Sequence, residues 1–151
     1  MAEAFLFGAT IMSRVGTDFA VRTLTTTTSS ICSLLSHLTS YDTVGIDDIK
    51  NELFKIDLEN KVMVIEELIR EYEKKEVRPS IKRAILGVNE ILSKIHDELT
   101  IIKEAVETHQ KKYFSSWRSF DCKYNIKILQ KHKAILDERY NLLIDLLKIP
   151  K

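Results

Sequence analysis

A chain of 151 residues with 44% hydrophobic and 30% charged side chains can bury a core without needing disulfides or a metal. Its net charge of +1 excludes a strong overall field toward nucleic acid or membranes. Only four glycines and two prolines are present, too few turns for a protein of many short strands. We therefore expect one all-α domain over residues 1–151.

Charge is spread unevenly along the chain. Residues 101–151 carry more basic than acidic side chains, whereas residues 1–50 and 51–100 each carry more acidic ones. An anionic partner is therefore expected to meet the C-terminal third.

Cysteine spacing and the first residues bear on the compartment. Cys32 and Cys122 stand far apart, which predicts neither a disulfide framework nor a zinc site, and no cofactor is expected. Glu3 and Arg14 do not fit a secretory signal. No window approaches the roughly 18 apolar residues of a membrane-spanning helix. These features predict a soluble, intracellular protein that is not secreted.

Lysine outnumbers arginine, and isoleucine is plentiful. This composition is typical of AT-rich genomes, among them those of many large DNA viruses and protists. The expected location is therefore the cytoplasm, or a viral or organellar assembly.

The first segment, from Ala2 to about Ala20, is predicted to be a helix that is apolar on nearly all sides. Such a helix packs into a core or lies at a membrane interface. The core alternative is favoured because no cluster of cations accompanies the segment. The candidate membrane face consists of Phe5, Leu6, Phe7, Ile11, Met12 and Val15.

A second run places apolar residues at steps of three and four between Val21 and Leu38, which predicts a helix. The threonine- and serine-rich middle, residues 23–30, is poor helix material because branched and hydroxylated side chains lose rotamer freedom or compete for the backbone. Hydroxyl groups can, however, bond back to the preceding turn. An extended linker is the alternative.

A turn cluster at residues 40–45 precedes the next helix, for which Asp47 is the predicted N-cap. The apolar stripe shifts phase near Asp57, so this residue is predicted to cap a fresh helix that continues to Tyr72. Pro79 then begins the central helix, since proline disfavours helix in the residue before it.

The central helix, predicted over residues 80–113, has the strongest pattern in the chain. Apolar residues recur there at alternating steps of four and three, a 3.5-residue period that indicates a long helix packed in a narrow seam against others. Its length is roughly 50 Å. The residues of the seam are Ile81, Ile85, Val88, Leu92, Ile95, Leu99, Ile102, Val106, His109 and Tyr113.

Asp121 is the predicted cap of the last helix, which ends at Pro150. One face of this helix runs from Ile128 to Ile149, and an adjacent face is also apolar. The breadth exceeds what one small bundle needs, which predicts a partner or oligomer face. The candidate residues of that face are Ile135, Leu136, Leu142, Leu143, Leu146 and Leu147. Four principal helices with short connections predict an antiparallel up-and-down four-helix bundle.

Catalytic and metal motifs are not apparent. The di-iron carboxylate pattern needs a glutamate three residues before a histidine, and no histidine here has one. His109 and His132 fall on apolar seams and are interpreted as core residues. Acid pairs such as Glu66 with Glu67 are interpreted as solvated faces with local ion pairs. An enzyme is therefore the least supported class.

A basic and aromatic region at residues 111–133 is the candidate anion-binding site. Basic side chains neutralise phosphates, and aromatic rings stack on bases or sit among headgroups. The alternative is that the aromatic residues close one end of the bundle while the lysines maintain solubility. The candidates are Lys111, Lys112, Trp117, Arg118, Lys123, Lys127 and Lys131.

The apolar first segment carries Gly8 and Gly16 and precedes three charged amphipathic helices. This order resembles the HeLo-type bundles at the N-termini of fungal prion-linked and mixed-lineage kinase-like cell-death proteins. The resemblance implies a regulated bundle that oligomerises and perturbs membranes. It is one of architecture over the whole chain.

Three functions follow from these patterns. The leading hypothesis is a non-enzymatic bundle that binds a protein partner or itself, as a structural subunit of a larger assembly. The second is a membrane-surface protein that uses its first segment. The third is nucleic-acid binding through the basic and aromatic region. No small-molecule substrate is expected.

Overall fold

A computed structural model describes residues 18–40, 47–111 and 121–150. These residues are 88% helical and contain no strand. The helices are α1 (Asp18–Thr39), α2 (Asp47–Ile56), α3 (Leu58–Arg70), α4 (Pro79–Lys111) and α5 (Lys123–Lys148). Since only Asp57 separates α2 from α3, they form one interrupted helix, and the described chain has four principal helices. The all-α prediction is confirmed.

Helix α1 contains the threonine-rich run, so the extended linker is wrong. The Thr25 hydroxyl donates to the carbonyl oxygen of Val21 at 2.9 Å, and the Thr27 hydroxyl donates to that of Thr23 at 2.9 Å. These bonds satisfy the hydroxyl groups inside the helix, as the sequence predicts. The buried residues of α1 are Val21, Leu24, Thr28, Ile31, Leu35 and Leu38, which are the six of the predicted stripe.

Asp57 lies at the predicted break but has a different role. Its backbone is left-handed, with φ 52°, and its side chain makes no capping hydrogen bond to α3. Its N–H group instead donates to the carbonyl oxygens of Leu53 and Phe54, which closes the C-terminus of α2. Asp57 therefore occupies the predicted N-cap position of α3, but the expected side-chain cap is absent. The predicted cap at Asp47 concerns a side chain outside those described.

Helix α4 is the longest helix of the described chain and packs against α1 and α5. Its predicted seam is confirmed from Ile81 to His109, since every seam residue in that range is buried. Tyr113, the last predicted member, lies outside the described residues. Ala84 and Ile91 are also buried, which widens the covered face as expected for a helix with two neighbours.

Side-chain contacts define the direction in which neighbouring helices run. The Ser30 hydroxyl lies 2.7 Å from His96 Nε2, and His37 Nε2 lies 3.5 Å from the Glu107 carboxylate. Because a later residue of α1 contacts a later residue of α4, the two helices run parallel. Helices α4 and α5 run antiparallel. Asn125, near the start of α5, contacts Glu98, whereas Arg139, later in α5, contacts Gly87, which lies earlier in α4.

Helix α3 packs against α1, and the Lys61 ammonium on α3 lies 4.2 Å from the centre of the Tyr140 ring on α5.

Both ends of α5 are held by polar contacts. Its N-cap position is Cys122, which makes no side-chain cap, but the Asp121 carboxylate accepts a hydrogen bond from the Lys123 N–H at 2.9 Å. The predicted capping role of Asp121 is thus confirmed, one residue before the cap position. At the other end, the Arg78 guanidinium donates to the carbonyl oxygen of Leu146. This contact places a positive charge where the helix dipole is negative.

Candidate protein interaction site

Helix α5 divides its apolar residues between the core and the surface. Leu129, Leu136 and Leu143 are at most 1% exposed, and they belong to the core that all the helices share. Two residues of the predicted partner face, Leu136 and Leu143, are thus covered by the chain's own residues and are removed from the candidate face. Leu146 and Leu147 are half-buried against the same core. Only part of the predicted face is available to a partner.

The available part is a line of four side chains at intervals of seven residues. Ile135 is 36% exposed, Leu142 55% and Ile149 53%, and Ile128 is half-buried. Seven residues are nearly two turns, so Ile128, Ile135 and Leu142 lie along one side of α5, and Ile149 follows directly after the helix ends at Lys148. We call Ile128, Ile135, Leu142 and Ile149 the apolar stripe. Ile135 and Leu142 are predicted partner residues, and the seven-residue interval already visible in the sequence adds Ile128 and Ile149.

A second line of exposed residues runs beside the apolar stripe. Tyr124, Lys131, Glu138 and Asp145 are all exposed, and they also recur every seven residues, each four positions before a member of the stripe. We call these four residues the polar row. Its first half carries a phenol and an ammonium group, and its second half carries two carboxylates. Within the described chain, no ion-pair partner of Lys131, Glu138 or Asp145 lies within 4.0 Å.

Polar contacts with α4 fix the orientation of α5 and therefore the direction of the stripe. The Arg139 guanidinium donates to the Gly87 carbonyl oxygen at 2.7 Å and lies 3.9 Å from the Glu90 carboxylate. Arg139 and Asn125 are on the side of α5 that faces α4. The stripe lies next to this side and points outward, where Ile101 of α4 is also 48% exposed.

The described members of the predicted anion-binding site lie at one end of the molecule. Lys111, Lys123, Lys127 and Lys131 are all exposed. Lys123 and Lys127 line an open cleft of about 430 Å³ between α2 and α5, which Lys55 also lines. Lys55 was missed from the sequence because it is distant along the chain. Glu52 and Asp121 line the same cleft and offset much of its positive charge. Lys112, Trp117 and Arg118 lie outside the described residues.

The thiol in this cleft is poorly suited to nucleophilic chemistry. Cys122 is buried, and burial raises the pKa of its thiol to about 11, with a smaller contribution from the negative charge of Asp121. The thiolate is the nucleophilic form of cysteine. Cys122 is therefore almost entirely protonated near neutral pH.

Two acidic side chains, Glu66 and Asp137, contact basic neighbours. The Glu66 carboxylate contacts Arg70 and accepts from the Thr25 hydroxyl, and the Asp137 carboxylate contacts Lys61 and Lys133. His109 is 4% exposed and His132 is half-buried. Over residues 18–40, 47–111 and 121–150, no three histidine, cysteine, aspartate or glutamate side chains come together as metal ligands.

All six residues of the predicted membrane face, Phe5, Leu6, Phe7, Ile11, Met12 and Val15, lie outside the described residues. In the described part of the chain, no helix combines the length and apolar character needed to cross a membrane.

Comparison with known proteins finds a viral relative. The "Uncharacterized protein L717" of Acanthamoeba polyphaga mimivirus is 24% identical over 150 residues, with 80% of this chain and 71% of that protein covered. No family model matches the chain. No solved structure matches it either.

Proposed function

We propose that the protein is a non-enzymatic helical bundle that binds a protein partner through the apolar stripe of α5, as a subunit of a larger assembly. The exposure of Ile135, Leu142 and Ile149 in one line is the observation that carries this proposal. Scattered apolar residues are ordinary on protein surfaces, whereas an aligned row of exposed apolar residues with a polar border is typical of a binding surface.

A partner gains free energy by covering the stripe. Full burial of a leucine or isoleucine side chain stabilises by about 1.5–3 kcal/mol relative to exposure. Leu142 and Ile149 each have more than half of their surface still exposed. A docked apolar helix recovers that free energy, and helices that dock in this way place residues at a seven-residue interval.

The proposed architecture is an up-and-down bundle in which α1, the interrupted helix α2 and α3, α4 and α5 alternate in direction along the chain. The antiparallel contacts of α4 with α5 support this arrangement, as does the contact between Thr25 near the start of α1 and Glu66 near the end of α3. Such a bundle leaves each helix one outward side. On α5 that side carries the stripe.

Binding of an apolar fluorescent dye, measured together with static light scattering, tests the proposal. The wild-type protein is expected to bind the dye or to form larger species as its concentration rises. Leu142→Glu is expected to reduce both signals, because a carboxylate in the middle of the stripe opposes apolar contact. Met63→Glu is the matched control, since Met63 is 49% exposed but lies on α3. A monomer that binds no dye would contradict the proposal.

Anion binding is the second candidate, favoured by the convergence of Lys55, Lys123 and Lys127 on one cleft. Affinity for a single-stranded oligonucleotide should then fall steeply with salt, because bound counterions are released. Lys55→Glu should also weaken oligonucleotide binding, because it replaces a positive charge of the cleft with a negative one. Binding that changes with neither the salt concentration nor Lys55→Glu would eliminate this candidate.

The membrane-surface alternative depends on residues outside those described and stays a prediction. Flotation with liposomes containing anionic lipid is its test.

A further inference from the structure

We infer that the partner of the apolar stripe is a second copy of this chain, with the two α5 helices antiparallel and related by a two-fold axis near Ile135. The inference rests on the proposed function and specifies its partner. It is carried by the charge order of the polar row beside the stripe, where Tyr124 and Lys131 precede Glu138 and Asp145.

The antiparallel arrangement pairs three of the four stripe residues with each other, and Ile149 lies beyond this contact. With the axis at Ile135, this residue meets its own copy, and Ile128 meets Leu142 of the second copy. A two-fold contact of this kind uses the same surface on both molecules. Because 128 and 142 are each seven positions from 135, both pairings occur at the same register.

The same register makes the polar row complementary to its own copy. Lys131 lies four positions before Ile135 and Glu138 three positions after it, so each Lys131 faces Glu138 of the second copy. Tyr124 and Asp145 are eleven positions before and ten positions after the axis. The Tyr124 hydroxyl can therefore donate to the Asp145 carboxylate of the second copy. Symmetry repeats both contacts, which gives two ion pairs and two hydrogen bonds.

A parallel pairing of the two helices would lose these contacts. A two-fold axis parallel to the helices places the two polar rows on opposite edges of the interface, so Lys131 and Glu138 could not meet across it. The charge complementarity of the polar row therefore specifies the antiparallel orientation. None of Lys131, Glu138 and Asp145 has a described ion-pair partner within its own chain, so their charges remain available to a second molecule.

The proposed interface has the composition of a protein–protein interface. Helix α5 has 26 residues and is therefore roughly 39 Å long. A standard interface buries about 800 Å² on each partner and has an apolar centre with a polar rim. The stripe supplies the centre and the polar row supplies one rim.

Site-directed cross-linking tests the orientation. Ile135→Cys should cross-link efficiently with a short bis-maleimide, because helix axes pack about 8–10 Å apart and the two residues face each other. Leu142→Cys should cross-link poorly, since two copies of residue 142 would be about 21 Å apart along the helices. The double variant Ile128→Cys with Leu142→Cys should cross-link again. Efficient cross-linking of Leu142→Cys alone would contradict the antiparallel arrangement.

Charge reversal with sedimentation analysis tests the pairing. Lys131→Glu should weaken the dimer about tenfold, because it replaces two attractions with two repulsions. Adding Glu138→Lys should restore the dimer to within about threefold, since the pairs then form with reversed sign. A double variant as weak as the single one overturns the proposed pairing.

The two proposals fail in distinguishable ways. The wild-type protein could stay monomeric at high concentration and still bind an apolar dye, with Leu142→Glu abolishing the dye binding. This result would contradict self-association and leave the stripe as a binding site for another protein. A monomer that binds no dye would overturn both, since the stripe would then be covered from within its own chain. Dimerisation that Leu142→Glu does not affect would show that the second copy binds at another surface, which contradicts the inference.

Discussion

The Asn125 side-chain amide donates a hydrogen bond of 2.9 Å to the Glu98 carboxylate, which is only 7% exposed. This bond connects α5 to α4 near the start of α5. Together with the contact between Arg139 and Gly87, it sets the register of the two helices. The register in turn decides which apolar side chains of α5 enter the core and which remain on the surface.

Asn125→Ala is predicted to lower the free energy of unfolding by about 1–3 kcal/mol. The loss of the amide leaves the Glu98 carboxylate in a buried position without this donor. Chemical denaturation monitored by circular dichroism measures the change. Gln130→Ala is the control, because Gln130 is exposed on the same helix, and it should change stability by less than about 0.5 kcal/mol. Equal effects of the two substitutions would show that the bond does not stabilise the fold.

Leu143→Ala and Leu142→Ala provide a matched pair at adjacent positions. Leu143 is 1% exposed and Leu142 is 55% exposed. Loss of a fully buried leucine costs about 2–5 kcal/mol, whereas Leu142→Ala should cost less than about 0.5 kcal/mol in dilute protein. Thermal and urea denaturation test this difference. The assignment of the two faces of α5 is wrong if Leu142→Ala is the more damaging change.

Gly87→Ala is predicted to stabilise the protein by about 0.5–1 kcal/mol. Glycine inside a helix costs that amount relative to alanine because it loses more backbone freedom on folding. Space is available, since the nearest atom to an added Cβ is the Arg139 Cδ at 3.7 Å, an ordinary contact. Ser93→Ala, at an exposed position of the same helix, measures the helix propensity effect alone. A lower melting temperature for Gly87→Ala would mean that α4 and α5 pack more closely than described.

Cys122 is predicted to react slowly with iodoacetamide. Because its pKa is raised from 9.0 to about 11, the alkylation rate should keep rising through pH 9 and level off only near pH 11. The raised pKa means that the protonated Cys122 thiol stabilises the folded state below pH 9. This contribution to the free energy of unfolding is lost as the pH rises toward 11. Mass spectrometry of the labelled peptide reports the rate. A rate that levels off below pH 9 would contradict this assignment.

The helices were largely predictable from the sequence. The seam from Ile81 to His109 could be assigned because a 3.5-residue period fits only a helix with one covered face. The alternation from Val21 to Leu38 likewise identified α1, even though its threonines disfavour helix. Both predictions depend on residues within a few turns of each other, so the linear order of the chain contains the necessary information.

The surface of α5 was only partly predictable. Leu142 and Leu143 are the same residue type at adjacent positions, and their different burial depends on where α4 and α3 lie around α5. Lys55 joins the cleft of Lys123 and Lys127 for the same reason, since α2 is distant from α5 along the chain. The absence of a side-chain cap at Asp57 could not be predicted, because an aspartate beside a phase shift fits both a cap and a left-handed helix end.

Hydroxyl-radical footprinting at low and high protein concentration tests the central claim most directly, because it reports the exposure of individual side chains. The modification rates of Ile135 and Leu142 are expected to fall as the concentration rises. Those of Phe54 and Met63, which are 67% and 49% exposed on α2 and α3, should stay constant. Unchanged rates at Ile135 and Leu142, or an equal fall at all four residues, would contradict self-association through the apolar stripe.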